Sequence, residues 1–397
     1  MFSPVFKALF DYYCLAMNKH FSAPNFTLGI LGGGQLGRML LQKTVDFNIS
    51  TAVMDGDADA PCKNLCTLFV NESFTDEEAV YKFGKTIDLL TVEIEHVNTN
   101  ALKRLEAEGL PIYPQPSIIE MVKDKGLQKL FYQQHHFPTS DFVLVQNKAE
   151  FIQLNQPFPI IQKIRTGGYD GKGVVKISSI SDFEKSFDAP MVIEDCIDID
   201  KEISVIVARN KRGHTTAFPA VEMCFNVEAN LVELLFSPAS ISVQIANTAE
   251  QIALDLITQL KMVGVLAVEL FITKKGEVLI NEIAPRPHNS GHHTIEANIT
   301  SQYEQHVRAI LDLPLGSTEM IRPSAMVNLL GEKGFEGNAV YDGLDEVLFM
   351  EETHLHLYGK KTTKPFRKMG HVTVTGASIE DATLKAEKVK KLIRIRS

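Results

Sequence analysis

From Thr27 onward, short apolar runs alternate with segments whose apolar positions recur at helical spacing. The runs Thr27 to Leu31, Ser50 to Met54 and Thr86 to Val92 predict strands, and Leu36 to Phe47 and Thr75 to Phe83 predict the helices between them. Such alternation predicts a doubly wound α/β unit with a parallel sheet, because each helix returns the chain across the sheet face. Beyond about Asp141 the pattern changes to strands and hairpins: Phe158 to Ile164, Gly173 to Ile177, Met191 to Glu194, Glu202 to Ala208 and the hairpin Val265 to Ile283, interrupted by a helix at Ala249 to Leu260. This sheet is expected to be mainly antiparallel. A third stretch from about Met320 predicts strands at Ala325 to Leu330, His354 to Tyr358 and His371 to Thr375, then a closing helix at Ile379 to Lys391. Residues 1–25 show no period and are expected to lie outside the fold, with Met17 offering a second start and residues 1–16 dispensable.

A chain of 397 residues with 45% hydrophobic content can bury more core than one ordinary domain, so two or three domains are expected. The net charge of −9 argues against nucleic acid or an anionic membrane surface as a partner, since both demand clustered Lys and Arg. A small anionic ligand in a local basic pocket remains compatible with it. The five cysteines are scattered, and Cys62 and Cys66 stand one residue too far apart for a CxxC pair. They read as reduced thiols of a cytoplasmic protein. No run reaches the roughly 18 apolar residues of a membrane helix, and the apolar start Val5 to Phe10 is broken by Lys7 and followed by Asp11, which argues against a signal peptide.

Four segments carry candidate chemistry. Gly32-Gly-Gly-Gln-Leu-Gly37 follows a strand and opens a helix, with Asp55 ending the next strand; it suits a dinucleotide, another anion, or a plain tight turn. Lys163-Ile-Arg-Thr-Gly-Gly-Tyr-Asp-Gly-Lys-Gly173 sits between two strands. Its four glycines around Lys172 make a loop whose amides can fold over phosphates, while Lys163 meets a phosphate as a point charge; the bland alternative is a solvated hairpin turn. Glu269 and Glu282 lie on facing strands, and a symmetric turn at Thr273 to Gly276 places residue 269 opposite 280 with 282 as its diagonal neighbour. Two like charges there call for protonation or a cation, and an all-oxygen pair beside phosphates suits Mg²⁺; two glutamates on a solvated face are the alternative. In a regular strand Asn281 points to the other face. Finally, Arg286-Pro-His-Asn-Ser-Gly-His-His293 offers donors for a reacting anion in Arg286, His288, Asn289 and Ser290. Pro287 and Gly291 argue against a zinc-bearing helix built on His288 and His292.

In order and spacing, Lys163, Gly168 to Gly173, Glu194-x-x-Ile197, Glu202, Glu269 and Asn281-Glu282 resemble an ATP-grasp enzyme. With Thr91-Val-Glu-Ile-Glu-His-Val97, Asn281 to His292, and Tyr358-Gly-Lys…Arg367-Lys-Met-Gly-His371, the chain is similar to the N5-carboxyaminoimidazole ribonucleotide synthetases, the PurK type, from about Thr27 to its end. The resemblance implies an ATP-grasp fold with a Rossmann-like domain at 26–124, an ATP-grasp domain at 125–318 whose lid is 125–200 and whose larger part is 201–318, and a β-rich domain at 319–397. It implies a Mg²⁺-dependent ligase that makes carboxyphosphate from ATP and bicarbonate and passes its carboxyl group to the amine of 5-aminoimidazole ribonucleotide, and it suggests a homodimer. By position, Lys125 and Lys163 would bind ATP phosphates under the loop Gly168, Tyr169, Asp170, Gly171, Lys172 and Gly173. Glu194 and Ile197 would edge the adenine, Glu202 would hold the ribose, Phe225 and Asn281 would line the nucleotide, and Glu269 and Glu282 would hold Mg²⁺. Gln35, Leu36, Glu93, Lys360, Arg367 and Lys368 would bind the imidazole nucleotide, with Tyr169, Asp170, Arg286, His288 and Asn289 at the transferred carboxyl group.

Two positions depart from the family pattern: Phe225 replaces an expected histidine, and Lys125 an arginine. Phe can pack on a ring face, and Lys can meet a phosphate without the bidentate fork. A relative acting on another substrate, such as formate-dependent glycinamide ribonucleotide formyltransferase, is the near alternative. An NAD-dependent oxidoreductase or a silent nucleotide-binding protein is the distant one; the former leaves the Lys163 loop and the glutamate pair without a task.

Overall fold

The computed structural model describes residues 19–154, 156–168, 173–226, 228 and 231–397. The proposed start at Met17 lies outside them. The chain forms two compact units, Met1–Ser117 and Ile118–Ser397.

In the first unit four parallel strands run in the order Leu68–Val70, Ser50–Met54, Thr27–Leu31, Leu89–Val92. The helix Gln35–Asp46 follows the glycine turn, as the sequence pattern predicts. Two boundaries differ from expectation for local reasons. The next helix begins at Glu77 because Asp76 takes the N-cap role and accepts from Ala79 N at 2.8 Å. The strand expected from Thr86 begins at Leu89, since the Thr86 hydroxyl still donates to Phe83 O at the preceding helix end.

Among its described residues the second unit contains two main antiparallel sheets and two short two-stranded ones. The smaller main sheet orders Phe142–Val145, Met191–Asp195, Ile160–Ile164 and Val174–Ile177 over a core that includes Phe151, Ile177 and Ile193. The larger runs Val278–Ala284, Gly264–Thr273, Ile199–Arg209, Val221–Asn226, Leu231–Ser237, Ser324–Leu330, Lys368–Thr375, Thr353–Leu357, with Thr215–Ala217 added beside Ile199–Arg209. Leu234 pairs with Val327, so the strands of the C-terminal stretch continue this sheet.

Alternation sorts the larger sheet's residues. Ile203, Val205, Val207, Leu266, Val268, Leu270 and Ile272 join the core built on the helix Val243–Gln259, which buries Ala249, Ala253, Leu256 and Ile257. The opposite face carries Glu202 and Ser204 on one strand and Glu269 and Phe271 on the next, because strand side chains point alternately to opposite faces.

Candidate active site

The hairpin Gly264–Thr273/Val278–Ala284 sets the geometry. Near its turn Leu270 pairs with Ile280, but one step on Glu269 pairs with Glu282, so Asn281 is an extra residue and the strand bulges there. This corrects the expected register of 269 opposite 280. Ile280 and Ile283 both face the helical core, which leaves Asn281 and Glu282 together on the other side. The bulge thereby removes the objection that Asn281 points away.

Cations meet this face from neighbouring elements. Lys125 is the first residue of the helix Lys125–Gln134, whose N-cap Asp124 accepts from Gly126 N at 2.8 Å and is gripped by Arg165 Nε at 2.8 Å and Nη2 at 2.6 Å. The Lys125 ammonium pairs with Glu282 Oε2. Lys163, on Ile160–Ile164, donates to Asn281 Oδ1 at 2.8 Å and pairs with Glu194 Oε2 at 3.1 Å. Glu194 Oε1 stands 3.3 Å from Lys129, whose Nζ also donates to Thr139 Oγ1 at 2.6 Å and Ser140 Oγ at 2.8 Å. Burial alone would raise Glu194, but Lys163 and Lys129 outweigh it and hold the carboxyl below its usual range. Sequence reasoning missed Lys129. Its one available signal was its spacing, one helical turn after Lys125 on the same face.

The carboxylates differ sharply. Lys125, followed by Lys163 and His288, holds Glu282 ionised against its burial. Burial, then the negative charges of Glu282 and Glu202, pushes Glu269 up. Burial likewise lifts Glu202 to about 7. Two facing carboxylates that each discourage ionisation of the other form an oxygen donor set with a deficit of positive charge, which is what a hard dication supplies. The residues therefore fit Mg²⁺, although among the described residues no group of three His, Cys, Asp or Glu converges as a complete metal shell.

His288 faces the same pair, with Nε2 3.6 Å from Glu269 Oε1 and Nδ1 2.9 Å from Ser290 Oγ. Asn289 is buried, and its side-chain N and O have no hydrogen-bond partner among the described residues. Arg286 Nη1 donates to Pro287 O at 3.1 Å. His292 is instead fully buried against the Tyr303 hydroxyl at 2.8 Å, away from any zinc-like arrangement with His288.

Lys368 is near enough to lower Glu269, whereas Lys360 donates to Lys368 O at 2.7 Å with its ammonium over the Tyr358 ring. Among the described residues no contact brings Arg367 to the carboxylates; it donates to Thr362 O at 2.9 Å and Thr362 Oγ1 at 2.8 Å. Phe225, on Val221–Asn226, sits opposite a bulge at Glu233 of Leu231–Ser237 and packs against a cluster containing Met223 and Val232. Gly168 and Gly173 bracket Tyr169, Asp170, Gly171 and Lys172, which lie outside the described residues. Gly173 adopts φ +83, where only glycine is unstrained.

In the first unit, Gln35 and Leu36 open the helix after the glycine turn. The turn's amides are already engaged: Gly34 N and Gly37 N donate to the Glu93 carboxylate at 3.0 and 2.9 Å, and Gly33 N to Asp55 Oδ2 at 2.6 Å. A dinucleotide pyrophosphate would have to displace two carboxylates, so the oxidoreductase reading loses its main support.

Three family profiles match along the chain: the ribonucleotide synthetase preATP-grasp domain over residues 26–123, the ATP-grasp domain over 130–303, and the phosphoribosylaminoimidazole carboxylase C-terminal domain over 324–385. The N5-carboxyaminoimidazole ribonucleotide synthase of Bacillus subtilis is 35% identical over 367 residues, covering 90% of this chain and 93% of that protein. The chain belongs to the N5-carboxyaminoimidazole ribonucleotide synthase family. The family's structure from Thermotoga maritima superposes with a TM-score of 0.87 at 40% identity, covering 94% of this chain and 99% of that one. Phosphoribosylaminoimidazole carboxylase of Candida albicans is 38% identical over 373 residues, but this chain spans only 65% of its length. Membership of this ATP-grasp ligase family bears out the expected fold class. No helix among the described residues is long and apolar enough to cross a membrane.

Proposed function

We propose that this protein carboxylates 5-aminoimidazole ribonucleotide at the expense of ATP. A bicarbonate oxygen attacks the γ-phosphorus, the bond to ADP breaks, and carboxyphosphate forms. The carboxyl group then passes as CO₂ to the exocyclic amine, which loses a proton, and phosphate leaves. The observation that carries this reading is the bulged hairpin, which sets Glu269, Glu282 and Asn281 on one face beside Lys125 and Lys163. Family membership supports it, and a family structure from Aspergillus clavatus holds ADP and 5-aminoimidazole ribonucleotide.

In this reading Lys125 and Lys163 meet the phosphates as point charges, and Glu202 faces the ribose. Glu269 and Glu282 hold Mg²⁺, which neutralises phosphate charge when bound. Asn289, with its buried and unsatisfied amide, joins Arg286 and His288 in donating to the carboxyl group, and Tyr169 and Asp170 serve the same group. Gln35, Leu36, Glu93, Lys360, Arg367 and Lys368 bind the imidazole nucleotide. The same proposal comprises domains at 26–124, 125–318 and 319–397, a homodimer, and a cytoplasmic setting, with which the unbonded thiols of Cys62, Cys66, Cys196 and Cys224 agree.

The test is ADP release with Mg²⁺ and ATP while bicarbonate and 5-aminoimidazole ribonucleotide are omitted in turn. Turnover should require Mg²⁺ and be stimulated by the imidazole nucleotide in the presence of bicarbonate. Stimulation by formate and glycinamide ribonucleotide instead would overturn the assignment while leaving the family intact.

A further inference from the structure

Gln302 is the first residue of the helix Gln302–Ile310 and is fully buried. Its amide closes on the main chain of His288, fourteen positions earlier. His288 N donates to Gln302 Oε1 at 2.9 Å, and Gln302 Nε2 donates to His288 O at 2.7 Å. The amide orientation is fixed by these two groups, because reversing it would set N–H against N–H and oxygen against oxygen. Gly291 makes the room: a Cβ there would lie 2.4 Å from Gln302 Oε1 and 2.5 Å from Cδ. Glycine is needed at 291 for space, since 291 is not among the glycines of positive φ. A second tie follows, as Gln302 N donates to Thr294 Oγ1 at 2.9 Å and the Thr294 hydroxyl donates to Gly291 O at 2.6 Å. With Gln302 Nε2 also 3.4 Å from His292 Nδ1, one helix start grips the segment 288–294 at four points.

That segment presents His288 to Glu269, and the loop itself offers little regular structure beyond the short 3₁₀ turn Asn289–Gly291. Without the amide bridge, the His288 main chain would lose both of its ties to the helix Gln302–Ile310, its C=O keeping the local bond from Gly291 N at 3.0 Å. We infer that Gln302 is a positioning residue of the reaction, locking the main chain of His288 so that its ring stays beside the glutamate pair. The inference rests on the proposed function, which sets His288 at the transferred carboxyl group.

The test is steady-state ADP release with ATP, bicarbonate and 5-aminoimidazole ribonucleotide, comparing Gln302→Met, Gln302→Glu, His288→Ala and the double variants. Methionine keeps the length and loses both bonds; glutamate keeps the acceptor and loses the donor. Misplacing a reacting group by about 1 Å costs about 100-fold, so kcat should fall roughly 10- to 100-fold in Gln302→Met while KM for ATP stays within about twofold. In the His288→Ala background the Gln302 substitutions should add nothing, because the effect travels through His288. If Gln302→Met does not fold, Gln302→Glu carries the test on the same terms. Parental kcat in the folded Gln302 variants, or an equal loss with and without His288, overturns the inference and leaves the proposed function standing. Parental kcat in His288→Ala overturns the placement of His288, and the inference with it.

Discussion

Glu202, Glu269 and Glu282 carry the same side chain on one sheet face, yet among the described residues the ammonium in direct contact is the one Lys125 sets against Glu282. The consequence for Glu202 is measurable. Its folded-state pKa of about 7 lies above the usual carboxyl value because burial disfavours the charge. Between about pH 4.5 and 7 the folded state therefore binds more protons than the unfolded state, and stability must fall as pH rises through that window. Glu202→Gln should flatten this decline, read as melting temperature against pH without nucleotide or Mg²⁺; an unchanged slope would mean that Glu202 is better solvated than its burial indicates. At this scale the sequence disclosed the residues whose spacing forms a motif, such as Lys163 and Glu282. It did not disclose Lys129, because a lysine within an amphipathic helix looks like an ordinary solvated position until Thr139, Ser140 and Glu194 are seen around it.

Elements were legible where one face is buried and the local pattern is strong. Thr27–Leu31 and Ser50–Met54 lie where the apolar runs put them. Between Arg209 and the helix Val243–Gln259, however, the sequence reading placed nothing, and the structure has the strands Val221–Asn226 and Leu231–Ser237. The second bulges at Glu233, an extra residue opposite Cys224 and Phe225, and such irregularity blurs the period-two signal. The same lesson holds for Asn281, since strict alternation gives the wrong face wherever an extra residue intervenes. The helix Val243–Gln259 supports the chemistry from behind: Leu256 is fully buried beneath strands that bear Glu202 and Glu269 on their other face. Leu256→Ala should cost about 2–5 kcal/mol in denaturant titration. Turnover per folded molecule should stay near parental, because the site face keeps its residues. A large loss of kcat at full folding would show that the site senses core packing directly.

On the scale of the whole chain, the larger sheet crosses the boundary expected near residue 319. Leu234 to Ser237 pair with Ser324 to Val327, and Leu234 and Phe236 pack on the core around Val372, Val374 and Val389. A chain ended at residue 318 would bare the edge of Leu231–Ser237 together with those side chains. It should form soluble aggregates or precipitate, seen by light scattering, where the full chain does not; a monomeric, well-folded product ending at 318 would show that the two parts of the sheet are independent. The strand order has a further consequence for time. Ile199–Arg209 finds its neighbours at Gly264–Thr273 and Val221–Asn226, but the row is finished only by Lys368–Thr375 and Thr353–Leu357. Contacts so distant along the chain close slowly. During synthesis the Leu231–Ser237 edge must wait, unpaired, until Ser324–Leu330 has left the ribosome, so this interval is when the nascent protein most needs protection from its own kind.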